Sequence, residues 1–213
     1  MKKYALPIAL FFAFIVFTIC VKTVDVAPIG PMDSEVGFSS INGAIAEKIG
    51  ENQLWYDVTE ILGFLSLAVA GCFAFVGVYQ FIKRKSLLKV DREILALGGF
   101  YAVVLAFYVL FEKIVINYRP VILEEVLEAS YPSSHTMLSL CIMLSALYLI
   151  NHYFKENKKY LYVIDTVLIV IAVVTVVGRL LSGVHWFTDI VGGVLLSLAL
   201  VSFYKAFITK DSE

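Results

Sequence analysis

The sequence predicts an all-α polytopic membrane protein, a bundle of six transmembrane helices with an interfacial helix between the first two spans. Three observations carry this prediction. Apolar residues make up 60% of the 213 positions and charged ones 16%, with a mean hydropathy of +0.86, so the chain has too little polar surface to enclose its apolar side chains in water. The apolar residues gather into six runs set apart by charged segments. None of these runs alternates apolar and polar residues as a barrel strand does, and backbone in hydrocarbon must be hydrogen-bonded within its own segment, so each run reads as a helix.

A hydrocarbon core about 30 Å thick calls for roughly 20 residues of helix, and shorter runs are served by snorkelling flanks or a thinned bilayer. The first run, 6–21, follows Lys2 and Lys3. No small-x-small cleavage site closes it, so it is expected to stay as an anchor and not to act as a signal peptide. Beyond it, Pro28 and Pro31 mark a turn region, and Phe38, Ile41, Ile45 and Ile49 recur at the spacing of one helical face. Trp55 and Tyr56 then precede the next span. This pattern fits a helix lying in the interface, or equally an amphipathic linker packed on its own protein. The remaining spans are predicted at 61–82, 94–111, 136–150, 161–177 and 190–208. The chain accordingly divides into 1–60, a first anchor plus an extracytoplasmic amphipathic segment, and 61–213, a five-helix membrane core that carries any chemistry, within a single domain overall.

Orientation follows from the cations, since cytoplasmic loops concentrate Lys and Arg. With the N-terminus inside, cytoplasmic segments hold Lys2, Lys3, Lys83, Arg84, Lys85, Lys89, Arg92, Lys155, Lys158, Lys159, Lys205 and Lys210, leaving outside only Lys22, Lys48, Lys113, Arg119 and Arg179. Both termini are then cytoplasmic. The total of 17 basic and 18 acidic residues gives a net charge of −1, without the basic excess of a nucleic-acid binder. Cys20, Cys72 and Cys141 all fall inside apolar runs and form neither a disulfide framework nor a metal-ligand pattern. Repeats, low-complexity tracts and Gly-rich phosphate loops are missing from the sequence.

The topology brings three segments to the outer face: Tyr118-Arg119-Pro120 after the third span, Pro132-Ser133-Ser134-His135 entering the fourth, and Arg179, His185 and Asp189 between the fifth and sixth. Two of the three histidines of the chain are here; His152, at the other face beside Tyr153, reads as an interfacial anchor. If the sixth helix begins near Ser182 or Gly183, His185 and Asp189 at i and i+4 share a face, and the carboxylate fixes the imidazole tautomer and leaves the other nitrogen as a base or nucleophile. Arg119 and Arg179 are planar forks suited to bidentate phosphate recognition. Ser133, Ser134 and His135 sit where a helix starts, and its free N–H groups favour an anion. His135 is placed to donate a proton to a leaving oxygen. Each feature alone has a plainer reading: an arginine is a headgroup anchor, His-x3-Asp a local hydrogen bond, Trp186 an interfacial residue, and Glu124, Glu125 and Glu128 a solvated face.

Taken together, the pattern R-P, then P-S-x-H, then R-x5-H-x3-D resembles the type-2 phosphatidic-acid phosphatase family of integral membrane lipid phosphatases, which share their core with vanadium haloperoxidases. The resemblance covers the six-span plan and roughly residues 111–189. It implies a two-step phosphoryl transfer that needs no metal and no cofactor. His185 would attack phosphorus and Asp189 would orient it. His135 would protonate the leaving lipid oxygen and later activate water, while Arg119, Arg179, Ser133 and Ser134 hold the equatorial oxygens.

Three departures stand out. Ser134 replaces the usual Gly of Pro-Ser-Gly-His, Gly178 replaces a Ser before the third-motif Arg, and Glu112 occupies the place of a phosphate-binding Lys, with Lys113 one residue on. A one-residue bulge that turns Lys113 in and Glu112 away is expected; the alternative pairs Glu112 with an arginine and limits the anionic charge the site accepts. The implied enzyme dephosphorylates a lipid of the outer leaflet of the plasma membrane, with the bilayer as its surroundings and neither nucleic acid nor a protein partner evident. Undecaprenyl pyrophosphate is the favoured substrate. Phosphatidylglycerol phosphate, phosphatidic acid and phosphotransfer to a lipid acceptor are alternatives. A transporter or silent scaffold is the competing class, against which stand the lack of a broken-helix pair and of an inverted repeat.

Overall fold

Apolar runs flanked by polar caps produce long helices. In the computed structural model, which describes residues 2–123, 125–154, 156 and 158–209, the α-helices are α1 (Ala5–Thr23), α2 (Ser39–Ile49), α3 (Gln53–Arg84), α4 (Arg92–Lys113), α5 (Ser134–Tyr153), α6 (Lys158–Leu181) and α7 (Phe187–Ile208). Glu124, Lys155 and Lys210 lie outside the described residues. Among the described residues, six helices are long and apolar enough to cross a membrane, α1 and α3 to α7, and the only β-pairing is two isolated bridges, Ala27 with Val36 and Tyr118 with Ala129. The chain is a multi-pass membrane protein with the predicted all-α bundle.

Helix ends run past the apolar runs because the termini stand in the headgroup zone, where hydropathy gives no signal. α3 shows this most clearly: the Asn52 side chain accepts from the Trp55 N–H at 3.2 Å and starts the helix at Gln53. The boundary at 60/61 therefore runs through the interior of one helix. The 39–49 segment is helical as its spacing predicts. Its fully buried residue is Asn42, which lies among the isoleucines, while Ile41 stays half exposed.

α5 and α7 form the centre. Half of the apolar stretch of α5 and 56% of that of α7 is buried, against 6% for α3, so α3 turns most of its surface outward to lipid. α7 packs along α1 and α5, and α5 packs also on α3 and α6. Small residues set these approaches. A methyl group on Gly192 of α7 would run into the Tyr131 ring. Across α5 and α6, Asn151 Nδ2 donates to Asp165 Oδ1 at 2.7 Å, and His152 Nε2 stands 3.7 Å from Glu93 Oε1 at the same end of the bundle.

One expectation is corrected. α7 starts at Phe187 and not near Ser182, because Gly183 takes φ +75 and breaks the chain direction after α6. A side chain there would strike the Gly50 carbonyl. His185 therefore lies in the turn before α7 and shares no helical face with Asp189.

Gly178, the residue found where the related motif carries Ser, is also explained by packing. A Cβ at this point on α6 would stand 2.6 Å from Thr59 Cγ2 and 2.9 Å from the Trp55 ring on α3, so the crossing requires glycine. Gly178→Ser should cost about 1–3 kcal/mol of stability through overpacking. The check is the thermal unfolding midpoint in detergent; an unchanged midpoint would show that the α3–α6 crossing is loose.

Candidate active site

The start of α3, the end of α4, the start of α5, the end of α6 and the start of α7 all lie at one end of the bundle. There a cavity of about 790 Å³ opens, lined by Tyr56, Glu60, Glu112, Arg119, Glu128, Ser134, His135 and Arg179 among others. A cleft of about 10 Å³ adjoins it and shares Glu112 and Ser134, with His185 in its wall.

Asp189 organises the inner side. It is fully buried at the third position of α7, where its Oδ2 accepts the Trp186 N–H at 3.0 Å and caps the helix. Asn117 Nδ2 donates to its Oδ1 at 3.4 Å. Its backbone carbonyl accepts the Ser133 N–H at 3.0 Å, which ties the start of α5 to the start of α7. His185 Nδ1 stands 3.6 Å from Asp189 Oδ2. That is ion-pair range, longer than a hydrogen bond. His185 is 4% exposed, and burial, followed by Arg119, Arg179 and His135, holds its pKa well below the ordinary 6.5. The ring is neutral. Arg119 Nη1 lies 3.3 Å from Nε2, and since a guanidinium only donates, Nε2 carries the lone pair and Nδ1 the proton. This is the tautomer a nucleophilic Nε2 requires.

Arg119 is held by the loop that follows α4. Its backbone N–H donates to the Glu128 carbonyl at 3.0 Å, its Nε stands 2.7 Å from Glu128 Oε2, and Nη1 reaches the Val184 carbonyl at 3.4 Å. Trp186 Nε1 donates to the Tyr118 carbonyl at 2.7 Å and pins the same loop. Trp186 is thus buried and structural, not the interfacial residue its type implied. Glu128 is an arginine partner and not part of a solvated face.

Arg179 is 1% exposed and is clamped by the first turns of α3. Nη1 donates to Thr59 Oγ1 and to Glu60 Oε1, both at 3.1 Å, and the guanidinium lies 5.1 Å from the Tyr56 ring centroid. Glu60 Oε1 is also 3.2 Å from His135 Nε2.

The structure thus brings Arg119, Arg179, Ser134, His135 and His185 around the two adjoining spaces, with Asp189 behind them. Ser133 stands differently from the expectation. Its hydroxyl is fully buried and accepts the Thr136 N–H at 3.4 Å as the α5 N-cap, so it does not line the cavity. Its role is to start the helix whose first N–H groups, those of Ser134 and His135, have no intrahelical acceptor. The bulge expected near Glu112 is absent: α4 stays regular, with the Ile114 N–H on the Leu110 carbonyl at 2.8 Å. Glu112 therefore lines the cavity, and Lys113 is not among its lining residues.

Sequence reasoning missed Glu60, Asn117 and Asn42. Asn42 Nδ2 donates to Thr188 Oγ1 at 2.9 Å and Gly37 O at 2.8 Å, while its Oδ1 accepts the Thr188 N–H at 3.2 Å. It anchors α2 to the start of α7. The available signals were a carboxylate at the head of an apolar run and an amide within an isoleucine face.

Residues 117–213 match the PAP2 superfamily. Over those residues the chain is similar to that superfamily. A phosphatidylglycerophosphatase B of Bacillus subtilis (strain 168) is 33% identical over 102 residues, 46% of this chain and 48% of that protein. The match spans about half the length of that relative. A crystal structure described as the first transmembrane PAP2 type phosphatidylglycerolphosphate phosphatase from Bacillus subtilis superposes with TM-score 0.71 at 21% identity, covering 100% of both chains. That likeness is one of fold. The PAP2 match takes in Arg119, Ser134, His135, Arg179, His185 and Asp189; Asn42, Tyr56, Thr59, Glu60 and Glu112 precede it.

Nitrogen NMR of labelled imidazole should find His185 in the Nδ1–H form at neutral pH. Because its native pKa is depressed while an unfolded histidine titrates near 6.5, stability should be unaffected by this group above that pH. Below it, stability should fall at up to about 1.4 kcal/mol per pH unit as the unfolded chain takes up the proton. An Nε2–H tautomer at neutral pH would contradict the Arg119 contact.

Proposed function

We propose that the chain is a lipid phosphate phosphatase that works through a phosphohistidine. The observation that carries this reading is His185 Nε2 facing Arg119 in the wall of the small cleft, which adjoins the cavity lined by Arg119, a second guanidinium and a second imidazole. Two guanidiniums and the first N–H groups of α5 suit the three equatorial oxygens of a phosphoryl group. The lone pair of His185 Nε2 forms the bond to phosphorus as the bond to the lipid oxygen breaks, and His135 gives that oxygen its proton. His135, now neutral, then takes a proton from water as the water oxygen attacks phosphorus. Phosphate leaves, and His185 regains its lone pair. Asp189 stabilises the Nδ1 proton throughout. The arginines supply the positive charge that divalent ions supply in many phosphoryl-transfer sites, so turnover is expected without metal.

Phosphatidylglycerol phosphate is the substrate we favour over undecaprenyl pyrophosphate. The named relatives support it. The charge of the cavity also supports it, because Glu60, Glu112 and Glu128 line the same space as the two arginines and disfavour a second phosphate. The sorting of cations supports an extracytoplasmic site in the plasma membrane, with the lipid drawn from the outer leaflet.

Purified protein in micelles, given phosphatidylglycerol phosphate, phosphatidic acid and undecaprenyl pyrophosphate, should release phosphate, fastest from the first. His185→Ala should abolish release, and His135→Ala should lose more on lipid than on an aryl phosphate, whose leaving group needs no proton. Excess EDTA should change turnover by no more than about twofold. Glu112→Gln should raise pyrophosphate use relative to monophosphate, with Lys113→Ala nearly silent. No release from any of the three lipids would sink the proposal.

Orientation has its own test in a background lacking the three native cysteines. Met32→Cys, 79% exposed at the cavity end, should react with an impermeant maleimide in intact cells, and Leu88→Cys, 95% exposed at the other end, only after the membrane is opened. The reverse pattern would invert the topology.

A further inference from the structure

We propose that Glu60 is a built-in oxyanion that occupies the phosphate position and is displaced by substrate. The inference rests on the phosphate-cradle part of the proposed function and assigns a role to a residue outside the PAP2 match. A single oxygen, Glu60 Oε1, stands 3.1 Å from Arg179 Nη1 and 3.2 Å from His135 Nε2. Those two nitrogens are the cation that should hold a phosphoryl oxygen and the acid that should protonate the leaving group. A phosphoryl group reaches both only by taking the place of that oxygen.

Glu60 is free to yield. Its side chain is 31% exposed and borders the cavity, whereas the Arg179 it contacts is 1% exposed. When the carboxylate swings away, Thr59 Oγ1 and the Tyr56 ring still hold the guanidinium. The second carboxylate–arginine pair is built differently. Glu128 stands on Arg119 Nε, while Nη1 of the same guanidinium faces His185. Glu128 therefore holds Arg119 by a nitrogen other than the one that faces His185, whereas Glu60 covers both reacting groups.

The consequence is a competition between two anions for one position. Glu60 lowers the affinity for substrate and for product alike, and it returns His135 and Arg179 to one geometry after each release. It is a positioning residue: it touches the acid and the cation and makes no bond to phosphorus.

The test is Glu60→Gln in the purified full chain, read by the inhibition constants of inorganic phosphate and orthovanadate and by KM and kcat for phosphatidylglycerol phosphate. Glutamine keeps the shape and an acceptor oxygen but removes the charge. Because a charge-assisted hydrogen bond is roughly twice as strong as a neutral one, both inhibition constants and KM should fall about tenfold. kcat should fall as well, since product phosphate is no longer expelled. Glu128→Gln should move KM the opposite way. A Glu60→Gln protein whose inhibition constants rise or stay level would overturn the proposal, because a residue that only braces Arg179 would weaken anion binding when neutralised. If the glutamine variant does not accumulate, Glu60→Asp, whose shorter arm cannot span both nitrogens, should lower the inhibition constants in the same direction. Vanadate-induced thermal stabilisation separates this inference from the phosphatase reading. Stronger stabilisation of Glu60→Gln than of the unsubstituted protein, with no turnover by either, would support Glu60 and overturn the phosphatase.

Discussion

The arrangement at the cavity depends on the hydrogen bonds that Asp189 makes at the start of α7. Its carboxylate takes the Trp186 N–H and the Asn117 amide, and its carbonyl takes the Ser133 N–H. Three segments far apart in sequence are thereby fixed to one residue. A carboxylate at the third position of a helix is favoured by the orphan N–H groups and the positive dipole end, and in a site this dry the unpaired alternative would be costly. The same interactions that begin a membrane helix therefore also present an oxygen to His185. Structure and chemistry share one side chain.

Around that centre the helices divide the labour. α5 and α7 provide rigid, half-buried walls, and Gly192 and Gly193 let them approach Tyr131 and Thr136 closely. α3 turns most of its length outward, yet its first turns deliver Trp55, Tyr56, Thr59 and Glu60 to α6 and the cavity. Asn42 adds a brace from α2 to α7. The part of the chain before residue 117 is thus more than an anchor: it supplies the counter-charge of Arg179 and supports the start of α7.

What the sequence discloses follows from the range of each interaction. Six spans are legible because twenty apolar residues in a row answer to a single constraint, the thickness of hydrocarbon. Arg119, Ser134, His135, Arg179, His185 and Asp189 are legible because their residue types and order carry the chemistry, and the structure gathers them at one end. The i, i+4 argument for His185 and Asp189 failed because it assumed an unbroken helix. Gly183 reaches a left-handed conformation there, and the contact between the two side chains comes from a turn. The type of Ser133 suggests a phosphate ligand, but a serine just before a helix is also the preferred N-cap, and here the cap takes the hydroxyl. Glu60 was hidden because its partners lie 75 and 119 positions away. No spacing rule reaches that far.

Burial of Arg179 explains why such a carboxylate belongs beside it in the proposed phosphate site. A guanidinium at 1% exposure must find an anion, since an uncompensated buried charge costs about 3–5 kcal/mol. Glu60 meets that requirement while the helices assemble, when no phosphate is there to serve. In the proposed cradle the same contact stands in the way of substrate, so pairing of Arg179 and affinity for phosphate pull in opposite directions. Partial exposure of Glu60 resolves the conflict. The carboxylate can leave toward water and regain its hydration, which makes displacement affordable for a dianionic phosphoryl group that gains both Arg179 and Arg119. A fully buried glutamate in the same position would have locked the site, and an apolar residue would have left Arg179 unpaired.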